Sequence, residues 1–287
     1  MRTTLIALTA LVMLWAPAPI LANGAGADQL RDRVARVTLA ARQSALLHSM
    51  AMSVCFSIGG LDAQRMDSQA LEQADTYSTV LAGLRNGQQW MELLPETDPA
   101  NLDALSRASE HWQRFEPAIR QLVAGDWHSV VIRQSIYSVT PTSDSADALA
   151  RHYLTRFGEE LIDAPSAAGM RLAAHYRMLS QRALSEMCYI HFDLGLPRAR
   201  LSLTLQEMES AAKTLIDGGP GVAAPPNARV ARNLRTAFLF WSKMRPTLDK
   251  TATGAALPDT ELQKVLKFNR SVLKQLDQAV AGYMPAR

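Results

Sequence analysis

Hydrophobic positions recur at steps of three and four along most of this chain. The clearest run is residues 171–190, where Leu172, Tyr176, Leu179, Ala183, Met187 and Ile190 form one apolar stripe, the pattern of a helix with a packed face. A second row, Arg177, Gln181, Ser185 and Cys188, is polar until its last member. On a helix Arg177 and Cys188 lie within about 20° of each other and about 16 Å apart along the axis. Such a helix packs on both sides. The same periodicity, interrupted by Gly, Pro and Asn breaks, predicts helices over 28–58, 67–84, 99–123 and 146–162. It predicts four more over 167–192, 198–216, 227–250 and 259–283. Residues 127–142 read as the least regular part, rich in β-branched side chains and closed by Pro141, with Ser143, Asp144 and Ser145 capping the next helix. The expected fold class is all-α, as two tandem up-down four-helix bundles.

The two sets of four helices align with each other. Ala40-Ala41-Arg42-Gln43 lies over Ala173-Ala174-His175-Tyr176, and the same offset lays Cys55-Phe56 over Cys188-Tyr189. Trp112, Pro117 and Gly125 match Trp241, Pro246 and Gly254 at equal spacing. Coincident rare residues imply a tandem duplication, with one copy over 28–163 and the other over 164–287. An even helix count returns the chain to its starting end, so the first helices of the two copies should run parallel. If they pack face to face, Cys55 and Cys188 meet at one height. Two readings of the cysteines stand: small buried apolar residues, or a disulfide joining the two halves.

Composition narrows the function classes. A hydrophobic content of 48% supports a sizeable core, while aromatics at 6% favour helix over sheet. The net charge of +3, without a basic cluster, argues against nucleic acid as a partner. Residues 1–22 read as a signal peptide: Arg2, an apolar run from Thr4 to Trp15, then small residues, with cleavage after Ala22 or, alternatively, Ala27. The expected location is therefore the bacterial periplasm, where a disulfide can persist. No HExxH, CxxC, phosphate-loop or dinucleotide pattern occurs, and the six histidines lack metal-ligand spacing. Ser271 and Lys274 fit SxxK, but within an apolar helical repeat. The expectation is a non-enzyme with no cofactor and no metal.

Arg177-Met178-Leu179-Ser180-Gln181-Arg182, following Ala173-Ala174, resembles the first helix of the type IV pili methyl-accepting chemotaxis protein N-terminal domain. That PilJ-like module is also similar to the periplasmic domain of nitrate/nitrite sensor kinases. The first copy departs from the motif, with Ser44, Ala45, Leu47, His48 and Ser49 at the matching positions. The resemblance implies a sensor whose first helices pair around a small anion such as nitrate or nitrite, one chain here supplying both halves as an internal pseudo-dimer, or a homodimer. Arg177 is the expected anion ligand, because a guanidinium fork suits a flat oxyanion. Ser180 and Gln181 would add hydrogen bonds, and His175 and Arg42 would line the same groove. The alternative for Arg177 is that it pairs with a carboxylate such as Glu186 or Asp193, or simply reaches solvent. Two function classes follow: a periplasmic ligand-binding or sensory protein acting through a separate membrane-bound partner, or a structural or adaptor bundle of the cell envelope without a small-molecule ligand.

Overall fold

A computed structural model describes residues 22–284. The expected signal peptide, residues 1–22, lies outside the described residues except for Ala22. The described chain is all-α: α1 Ala22–Ile58, α2 Ala63–Asn86, α3 Pro99–Val123, α4 Ser129–Leu161, α5 Ala164–His191, α6 Arg198–Asp217, α7 Ala228–Thr253 and α8 Asp259–Tyr283. A single 3-10 turn, Gln89–Met91, interrupts the α2–α3 connection.

Local chemistry sets many of these boundaries. Asp98 accepts hydrogen bonds from the Ala100 and Asn101 N–H groups, with Pro99 at the first helical position. Asp163 caps α5 through Ser166 N, and Asn227 caps α7 through Val230 N. Gly254, at φ 87°, ends α7 in the left-handed conformation that glycine adopts without strain.

One sequence expectation is corrected. Residues 127–142 are not irregular: α4 begins at Ser129 and runs unbroken through Pro141, so no helix starts at residue 146. Its β-branched residues carry a helical stripe, since Val131, Ile136, Val139 and Thr142 are all buried. Packing of that stripe against α1 and α3 outweighs weak helix propensity. Ser143, expected as a cap, instead donates from Oγ to the Ser44 carbonyl on α1, at 3.4 Å.

The helices contact one another in a definite order. α1 packs on α2, α4 and α5, while α3 packs on α2 and α4. α5 packs on α6 and α8, and α7 packs on α6 and α8. Only α1 and α5 combine extensive packing on each other with packing on both of their other large neighbours, so they form the spine. Their contacts pair Arg42 with Arg177, His48 with Ser185, Ala51 with Tyr189 and Cys55 with Cys188. From Arg42–Arg177 through His48–Ser185 to Cys55–Cys188 the numbers rise together, so the two helices run parallel. At their C-terminal ends the Phe192 ring lies against Gly59, so close that a Cβ there would sit 2.1 Å from Phe192 Cζ. The missing side chain at Gly59 is what admits the ring.

Aromatic pairs fill the core on each side of the spine. Tyr77 lies 4.4 Å from Trp112, centroid to centroid, and Tyr176 lies 5.0 Å from Phe238 and 6.4 Å from Trp241.

Candidate functional site

α5 is buried on almost every side from Ala173 to Tyr189, so its polar residues must find partners inside the protein. Arg177 is 7% exposed. Its Nε lies 2.7 Å from Asp277 Oδ1 on α8, and its Nη1 donates to the Arg42 carbonyl on α1 at 3.0 Å. Burial lowers the Arg177 pKa, Asp277 opposes that, and nearby Arg42 lowers it further. The carboxylate that balances Arg177 is Asp277, rather than the Glu186 or Asp193 considered from sequence.

The other sequence-chosen residues divide. Ser180 Oγ donates to the Arg177 carbonyl at 2.7 Å, satisfied within its own helix. Gln181 faces α8, where it exchanges two hydrogen bonds with Asn269, at 2.8 and 3.3 Å. A buried amide needs both a donor and an acceptor, and Asn269 supplies both. His175 does not line the Arg177 groove. Its Nε2 sits 2.8 Å from Glu207 Oε1 on α6, because residues two apart on a helix point about 200° apart. Arg42 does lie beside Arg177, half-buried, with its Nε unpartnered. Cys55 and Cys188, both fully buried, are joined by a disulfide with Cα atoms 6.1 Å apart.

A cleft further along the spine escaped the sequence reading. It has a volume of about 370 Å³ and is lined by His48 of α1, Ile136, Tyr137, Val139 and Thr140 of α4, Ser185, Glu186 and Tyr189 of α5, and Gly195, Leu196, Pro197 and Arg200. Its floor is polar and buried: His48 is 2% exposed, Ser185 1% and Glu186 5%. Glu186 accepts from Arg182 Nε at 2.9 Å and from Thr204 Oγ1 at 2.7 Å, and Arg200 Nε stands 3.8 Å away. The only sequence signal was a charged residue just after the Gly195–Pro197 break, which reads as ordinary surface. A larger cleft of about 510 Å³ lies between Asp28, Arg31 and residues 86–95, but Asp28 and Arg31 are exposed and already paired with each other.

His48 is held neutral. Burial pushes its pKa down to about 3, helped by the Arg182 and Arg200 charges. In the unfolded chain the imidazole protonates near 6.5, so falling pH favours the unfolded state across the window from 6.5 to about 3. His48→Gln removes that contribution. Melting temperatures measured at pH 7 and pH 4.5 should therefore fall less in the variant than in the wild type; an equal fall would contradict a buried neutral His48.

Among the described residues, no three or more His, Cys, Asp or Glu side chains are grouped to hold a metal ion. No described helix is long and apolar enough to cross a membrane. The chain matches no family model, no curated protein and no solved structure.

Proposed function

We propose that this is a non-enzymatic ligand-binding and sensory protein of the bacterial periplasm that passes its signal to a separate membrane-bound partner. In this reading it consists of two tandem four-helix units, residues 28–163 and 164–287, related by duplication and paired through α1 and α5. The order of helix contacts and the matched Trp, Pro and Cys positions support that architecture. The Cys55–Cys188 bond suits an oxidising compartment. The observation that carries the functional reading is the cleft at the spine, where a buried polar floor meets apolar walls in a volume suited to a small molecule.

A second reading, a structural or adaptor bundle of the envelope, is favoured by one specific contact. Asp277 balances Arg177, so a small oxyanion at the motif must first displace a built-in carboxylate. Thermal-shift measurements on the mature protein separate the two readings. The panel is nitrate, nitrite, chloride and small carboxylates at matched ionic strength, with Arg177→Ala in parallel. A ligand that binds only the folded state raises its melting temperature. Stabilisation by at least one compound supports the ligand-binding reading, and stabilisation by none supports the adaptor. A nitrate or nitrite shift lost in Arg177→Ala would place the ligand at the motif instead of the cleft.

A further inference from the structure

We propose that the cleft between α1, α4, α5 and the start of α6 binds a small organic carboxylate with an apolar body. This rests on the ligand-binding reading above and names its ligand class.

Arg200 carries the recognition. Its side chain lines the cleft and is 41% exposed, while its Nε is enclosed beside Glu186 without a hydrogen-bond partner, so the exposed part of the guanidinium is what a ligand meets. The nearest carboxylate oxygen, Glu186 Oε1, is 3.8 Å away and already accepts from Arg182, while Oε2 accepts from Thr204. Glu186 therefore offsets one of the two arginines, and Arg200 keeps a charge and free donors. A guanidinium matches a carboxylate in shape and charge and donates paired hydrogen bonds to it. The first turn of α6, which has no side-chain cap, borders the same cleft and adds the partial positive charge of a helix N-terminus.

The walls select the rest of the ligand. Ile136, Val139, Leu196 and Pro197 are apolar, and the Tyr137 ring is 68% exposed at the mouth. A bare nitrate would leave most of about 370 Å³ unfilled. An apolar body fills that space and gains from leaving water.

The two halves of the chain differ at this place. His48 stands seven residues before Cys55, and Gln181 stands seven before Cys188. Thr140 follows Trp112 by 28 residues, and Asn269 follows Trp241 by 28. In the second half these matched positions are occupied by the mutually bonded Gln181–Asn269 pair. In the first half, His48 and Thr140 line the open cleft. One such site per chain follows.

The test is isothermal titration calorimetry of the full mature protein with benzoate, and with benzamide as a neutral analogue of the same shape. Benzoate is expected to bind saturably, with benzamide weaker by at least about tenfold. Arg200→Gln is expected to weaken benzoate by a similar factor. The double variant His48→Gln/Thr140→Asn transplants the amide pair and is expected to abolish binding. Circular dichroism and melting temperature show that each variant is folded. Benzamide binding as tightly as benzoate, or Arg200→Gln binding unchanged, overturns the carboxylate class while leaving a ligand-binding protein. No binding of benzoate to the wild type overturns the proposal, and the broader thermal-shift panel then decides whether the ligand-binding reading falls with it.

Discussion

A Cys55→Ala/Cys188→Ala double variant is expected to lose about 4–5 kcal/mol of stability. The bond joins residues 133 apart in sequence, so it closes a long loop and removes much of the freedom of the unfolded chain. Folded-state packing should change little, because both side chains are fully buried and alanine keeps the site apolar. Burial also shields the bond from reductant in the native state. Equilibrium denaturation with and without reducing agent gives the check. The wild type unfolded under reducing conditions should match the double variant, and native protein should resist dithiothreitol until it opens. A stability loss below about 1 kcal/mol would mean that the α1–α5 pairing holds itself together without the covalent link.

Arg36→Met is expected to cost about 3–5 kcal/mol, the usual penalty for leaving one side of a buried ion pair uncompensated. Arg36 is 2% exposed and is the tie between α1 and the α2–α3 connection. Its Nε donates to Asp32 Oδ2 at 2.9 Å, and Nη1 lies 2.8 Å from Glu96 Oε2. Nη1 and Nη2 also donate to the Leu84 and Leu94 carbonyls, at 2.7 and 2.6 Å. Burial works against the charge, yet Asp32 and Glu96 together keep its pKa raised. Methionine fills the volume but strands two buried carboxylates and two carbonyls. Lysine keeps the charge but cannot span four acceptors with a single ammonium, so Arg36→Lys should fall between. Denaturant titration of the three proteins gives the order wild type, lysine, methionine. Equal stability of all three would show that the connection is held by its apolar contacts alone.

The sequence made the helices legible wherever a strong break bounded an apolar stripe. Asn86-Gly87, Pro99 and Gly254 mark ends that the structure also has. Pro141 misled because an isolated proline inside a helix costs a few kcal/mol, while the burial that outweighs the cost, Val131 to Thr142 against α1 and α3, is tertiary. At the motif, Arg177 was visible as an unusual arginine in an apolar helix, but its partner Asp277 lies 100 residues away on α8 and nothing local announces it. His175 stands two residues from Arg177, and the angle between residues two apart on a helix sends it to the opposite face. Arg200 carries no mark in the sequence, since a single charged residue at a helix start is ordinary surface until the fold folds a cleft around it.

The most direct measurement of the central proposal, a binding protein with a single carboxylate site in the cleft between α1, α4, α5 and α6, is native mass spectrometry of the protein titrated with benzoate. The account predicts one ligand per chain at saturation and no adduct in His48→Gln/Thr140→Asn. Two ligands per chain, or none at any concentration, would contradict it.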